Sequence, residues 1–126
     1  NTEPLLLALR DSSKQVQVAA AEVLLAMHSH QLLDSVLQHA EKAKHFRTQA
    51  LLYQTAMATK PDAKTILSIK KIYKASFNPY QKAMLLAALA YTSSEHKFLA
   101  REVMFSYENP VQIAAAQALV ETHYLL

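Results

Sequence analysis

Ten residues near the start of the chain, Val16-Gln17-Val18-Ala19-Ala20-Ala21-Glu22-Val23-Leu24-Leu25, return near its end as Val111-Gln112-Ile113-Ala114-Ala115-Ala116-Gln117-Ala118-Leu119-Val120, 95 positions later. Self-similarity of this kind restricts the fold to a stack of like units. Read as a helix, Val16, Ala19, Ala20, Val23, Leu24 and Met27 share one face, and the same register in the second copy gives Val111, Ala114, Ala115, Ala118, Leu119 and Thr122. Val18, Ala21 and Leu25 lie on the opposite side and are also apolar, so each such helix is expected to be sandwiched between neighbours. The alanines allow close approach, toward the short end of the usual ~8–10 Å between helix axes.

Two weaker copies lie between, Arg47-Thr48-Gln49-Ala50-Leu51-Leu52-Tyr53 and Tyr80-Gln81-Lys82-Ala83-Met84-Leu85-Leu86. Taking Ala20, Ala50, Ala83 and Ala115 as equivalent gives spacings of 30, 33 and 32 residues. That period, with two helices per unit, predicts an all-α fold, an α-α superhelix or solenoid of four helical hairpins and eight helices. The whole chain, 1–126, reads as one domain, with repeats at approximately 1–29, 30–60, 61–93 and 94–126. The absent initiator Met suggests a fragment of a longer chain. The apolar end Tyr124-Leu125-Leu126 leaves the last repeat uncapped, which predicts further repeats or a homodimer through the uncapped terminal repeats.

Composition agrees. There is no glycine and no cysteine, and 52% of residues are hydrophobic against 18% charged. Disorder is excluded, helices joined by short polar turns are favoured, and disulfide and thiolate chemistry is absent. No apolar run is long enough for a membrane span. No signal peptide is visible, which places the chain in the cytoplasm as an expectation.

The helices can be placed from their ends. Thr2 is expected to cap helix one, with Glu3 and Pro4 in its first turn and Leu5, Leu6 and Leu9 buried. Ser12 and Gln15 read as a capping box for helix two, which ends near Met27-His28. Helix three runs from about Gln31 to Ala43 on a Leu32, Leu33, Val36, Leu37, Ala40 stripe, and helix four from about Phe46 to Ala58. Lys60-Pro61-Asp62 is a stop and restart. Helix five carries Ala63, Ile66, Ile69 and Tyr73 on one side. Asn78-Pro79 and Asn109-Pro110 each set a cap before a proline, opening helices six and eight. Ser93-Ser94-Glu95 starts helix seven, with Leu99, Val103 and Phe105 apolar.

The pattern resembles the HEAT-repeat family, and more narrowly its bacterial short-repeat branch, which includes phycobilin lyase-like proteins. The likeness rests on Leu6-x-x-Leu9-x-Asp11, Val16-x-Val18-Ala19-Ala20-Ala21-x-x-Leu24 and Val111-x-Ile113-Ala114-Ala115-Ala116-x-x-Leu119. The middle repeats depart from it, with Thr48-Gln49-Ala50 and Gln81-Lys82-Ala83 in place of the apolar-Ala-Ala run. The resemblance implies a module that binds other proteins.

Stacked hairpins line a concave side with the second helix of each pair. One column flanking these helices, Glu22, Leu52, Leu85 and Gln117, is expected to face the next repeat. The other, Gln17, Arg47, Tyr80 and Gln112, is polar or amphipathic in every repeat and is the candidate partner groove. Arg offers a fork for carboxylates, and Tyr offers area with a hydrogen-bonding tip. The competing account of this column is a solvated edge, since any solenoid in water needs polar columns.

The net charge of +3 is unevenly placed, at −1, +2, +4 and −2 over the four repeats. Lys42 and Lys44 crowd the turn before helix four, and Lys64, Lys70, Lys71 and Lys74 fall within one arc of helix five. This basic patch carries the alternative reading, nucleic-acid binding, against which stand sparse aromatics and a solvated outer helix face. No histidine pair has the i, i+4 spacing of a zinc site with a carboxylate partner. His28-x-His30 suits a helix end, where a cation is favoured. Catalytic inventory is poor: no phosphate loop is possible without glycine, and Ser12, Ser13, Ser93 and Ser94 are cap residues. No metal or cofactor is expected. A chromophore lyase or other enzyme is the third reading, by analogy alone. The preferred expectation is a non-enzymatic protein–protein interaction scaffold.

Overall fold

Each unit of the chain is a pair of helices joined by a short turn, and the second helix of each pair packs against the second helix of the next. The structure is a computed structural model and describes residues 2–27 and 29–125, without the side chains of 123–125. His28, from the His28-x-His30 pair, and the terminal Tyr124-Leu125-Leu126 side chains therefore lie outside the described residues.

The eight helices are α1 (Glu3–Ala8), α2 (Lys14–Met27), α3 (Leu33–Lys42), α4 (Phe46–Thr59), α5 (Ala63–Ala75), α6 (Pro79–Ala88), α7 (His96–Phe105) and α8 (Asn109–Leu125). Short 3₁₀ turns, His30–Leu32 and Leu89–Tyr91, precede α3 and follow α6. The principal contacts run along the inner helices, α2 on α4, α4 on α6 and α6 on α8. The outer helices α1, α3, α5 and α7 pack on their own partners α2, α4, α6 and α8. This is an all-α array of four hairpins with neighbour-to-neighbour packing, as the repeat predicts.

The inner helices meet through small residues. Ala20, Ala50 and Ala115 are buried, while Ala83 is half-buried in a shallow depression shared with Pro110 and Ala114. In the column expected to face the next repeat, Leu52 and Leu85 are fully buried, and Leu52 borders a cleft shared with the first hairpin. The column's outer members, Glu22 and Gln117, are exposed.

The apolar face assigned to the first decamer needs correction. Val16, Ala19, Val23 and Met27 are exposed; of that face α2 buries only Ala20 and Leu24, together with Ala21 from the other side. In α8 the corresponding positions Val111, Ala118 and Thr122 are buried, while Ile113 and Val120 are exposed. The reason is positional. The Val16 side of the repeat meets the preceding inner helix, and α2 has none in this chain. The Ile113 side meets the following one, and α8 has none. Closely similar sequences thus bury different sides at the two ends of the row.

Several helix ends also differ from expectation. Thr2 makes no side-chain cap; its carbonyl receives the amides of Leu5 and Leu6. The cap of α2 is Ser13 rather than Ser12, with Oγ accepting from the Val16 amide at 3.3 Å while Asp11 Oδ1 holds the Ser13 amide at 2.8 Å. Asn78 caps α6 as predicted, accepting from Tyr80 and Gln81 amides. Asn109 is instead the first residue of α8, and the Glu108 carbonyl takes the Val111 and Gln112 amides. Ala63 and Phe105, expected in the core, are exposed, because each sits at the end of its helix beyond the reach of the neighbouring inner helix.

Candidate functional site

The first turns of the inner helices, where the expected groove column lies, divide into residues used by the fold and residues left outside. Gln17 Nε2 donates to the Asp11 carbonyl at 2.6 Å, and Gln17 Oε1 accepts from the Thr48 hydroxyl at 3.4 Å. Gln112 Nε2 donates to the Val103 carbonyl at 3.2 Å. These two members of the column tie a hairpin together. Arg47 and Tyr80 are exposed; Arg47 places its guanidinium 5.7 Å from the Phe46 ring centre.

The glutamines follow a rule that the alanine alignment hides. Gln49 Nε2 donates to the Ala40 carbonyl at 2.9 Å, and Gln81 Oε1 accepts from the Ser76 hydroxyl at 2.6 Å. Gln17, Gln49, Gln81 and Gln112 are therefore one column, 32, 32 and 31 residues apart. Each sits in the first turn of an inner helix and engages the chain at or just beyond the end of the preceding outer helix. The unsatisfied carbonyls of a helix end need such donors.

The turns within the hairpins form one edge of the array. In the last two, Ser76 and Ser106 accept through Oγ from the amides of Asn78 and Glu108, at 3.1 and 3.2 Å. The residue between, Phe77 or Tyr107, is held fully out in solvent, Phe77 at 98% relative exposure. Tyr80 follows immediately, and Met104 and Phe105 are exposed beside Tyr107. Sequence reading passed over Phe77 and Tyr107; the signal that could have found them is the recurrence of serine-aromatic two residues before Asn78 and Glu108.

The lysines of the candidate basic patch are not gathered together. Lys42 and Lys44 border a cleft between the first and second hairpins. Lys64 and Lys74 line two separate shallow depressions, and Lys71 is exposed on α5. Lys70 pairs with Glu95 and sits 4.8 Å from the Phe98 ring centre. Next to it, Tyr73 meets Phe98 edge-on at 5.5 Å, and Lys82 lies 5.1 Å from the Tyr73 ring while pairing with Glu108 at 3.4 Å. This network joins the third and fourth hairpins. Burial, then a hydrogen bond to Glu102, holds the Tyr73 phenol far above its ordinary ionisation range.

The cleft at the first joint has a volume of about 800 Å³. Its walls are the end of α1 and start of α2 on one side, and the end of α3 and start of α4 on the other. Leu9 and Leu52 lie at its floor, and Arg10 and Lys14 stand across from Lys42 and Lys44. Partial burial, with the charges of Lys14 and Arg47, holds His45 below its ordinary value. Among the described residues, no group of three or more histidines and carboxylates is placed to hold a metal, and no helix is long and apolar enough to cross a membrane. Compared with family models, with curated proteins and with solved structures, the chain shows no significant match.

Proposed function

We propose that this chain is a protein-interaction scaffold of the HEAT-like α-solenoid type, and that its partner docks along the edge formed by the turns within the hairpins and the first turns of the inner helices. The observation that carries this reading is the pair Phe77 and Tyr107. Two aromatic rings stand wholly in solvent at corresponding places in successive turns, each set there by a serine-bonded turn. Large rigid aromatics contribute much of the affinity at protein interfaces and contribute nothing to this fold while exposed. Tyr80 and Arg47, the two outward members of the expected groove column, lie on the same edge and add an amphipathic ring and a carboxylate-binding fork.

The test is affinity capture from a native extract with the wild type and with Phe77→Ser/Tyr107→Ser, and separately Arg47→Glu/Tyr80→Ala. A discrete partner that is lost with both double variants, while thermal unfolding is unchanged, supports the reading. The same captured set with all three proteins contradicts it.

A further inference from the structure

Four cations line the cleft at the first joint, and no described carboxylate lines it with them. Arg10 and Lys14 come from the first hairpin, Lys42 and Lys44 from the second, and all four are exposed. Among the described residues none of them forms an ion pair, whereas Lys70 and Lys82 are both paired with glutamates. The acids closest in sequence do not line the cleft: Asp11 Oδ1 accepts from the Ser13 amide, and Glu41 borders a different depression beside Tyr53. A multiply charged anion in the cleft would be attracted from both walls.

Behind the cleft wall lies a polar atom without a partner. His39 lines the wall, and its Nδ1 lies 2.7 Å from the Ser35 carbonyl, so Nδ1 carries the proton of that bond. Its Nε2 is buried without a protein partner. Buried nitrogens in this state are the exception in folded proteins. The volume falls within the ~300–1,000 Å³ typical of small-molecule sites.

We infer that this cleft binds a small polyphosphate, two or more linked phosphate groups held between Arg10 and Lys14 on one wall and Lys42 and Lys44 on the other. Lysine outnumbers arginine by three to one in the lining. Lysine's compact, mobile charge suits a tetrahedral phosphate, whereas a flat carboxylate is better met by the arginine fork. No phenylalanine, tyrosine or tryptophan lines the cleft, so a nucleic-acid strand would find only the small imidazole rings of His39 and His45 to stack on there.

The experiment is calorimetric titration of the chain at neutral pH and low salt with sodium pyrophosphate, ATP, citrate and a short DNA duplex. Pyrophosphate and ATP are expected to bind saturably, within about tenfold of each other, because the phosphate chain is what is recognised. Lys14→Gln/Lys42→Gln should weaken both by at least about tenfold, the scale of a lost charge-assisted hydrogen bond. Lys71→Gln/Lys97→Gln removes the same charge elsewhere and should leave affinity within about twofold. Amide chemical shifts should move at 38–45 and 10–17. Absence of saturable pyrophosphate binding overturns the proposal, as does ATP binding alone, citrate binding equally well, or equal loss in the two double variants. Duplex binding that pyrophosphate cannot displace also overturns it, in favour of nucleic acid. If Lys14→Gln/Lys42→Gln does not fold, pyrophosphate titration of Arg10→Gln or Lys44→Gln reads the same loss.

Discussion

Gln49 donates its side-chain amide to the carbonyl of Ala40, bonding the start of α4 to the end of α3 at 2.9 Å. Gln112 does the same for Val103, nine residues back in each case. Truncating either glutamine leaves a helix-end carbonyl without its donor, so Gln49→Ala and Gln112→Ala should each cost about 1–2 kcal/mol in urea unfolding. The two sites lie in different hairpins, and the double variant should lose the sum.

The number of helices and most of their ends were legible because caps and stops are local. Asn78-Pro79 and Lys60-Pro61-Asp62 act through their own backbone, and they were read correctly. The buried side of α2 was not legible. Its sequence is apolar on two faces, and periodicity cannot say which face has a neighbour; Val16 and Val23 would be core residues anywhere but at the first position of the row. For the candidate site, Lys42 and Lys44 were singled out as neighbours in sequence, while Arg10 and Lys14 were missed because only stacking brings them opposite. Phe77 and Tyr107 escaped because a hydrophobic pattern treats aromatics as core, and only the serine-bonded turns expose them.

Acid should weaken the ligand-free protein through His45. Its pKa is lowered from 6.5 in the fold by partial burial and by Lys14 and Arg47, with Arg10, Lys42, Lys44 and the His39 ring bordering the same cleft. A base with a depressed folded pKa contributes stability above its unfolded value and loses it as pH falls toward the folded one. Stability should therefore decline as pH drops below 6.5, and the decline should be smaller in His45→Asn. Thermal melts across that range check it.

Alkali should act through Tyr73 with the opposite sense. Burial and the Glu102 hydrogen bond raise its pKa from 10.0, so its contribution is full below that value and is lost as pH rises above it. Tyr73→Phe should flatten that alkaline loss. At neutral pH it should cost about 1–3 kcal/mol, because Glu102 loses its partner. Urea unfolding at both pH values separates the two effects.

Positions 23 and 118 correspond under the repeat, yet Val23 in α2 is 46% exposed and Ala118 in α8 is 1% exposed. Nothing but a row of hairpins with two open ends makes one repeat position a surface at one end and a core at the other. The decisive measurement is the unfolding free energy of Val23→Glu beside that of Ala118→Glu. Val23→Glu should stay within about 0.5 kcal/mol of wild type, and Ala118→Glu should lose at least about 3 kcal/mol by burying an unpaired carboxylate against α6. Comparable losses in both would mean that the ends of the row are closed on one another, and would contradict the account.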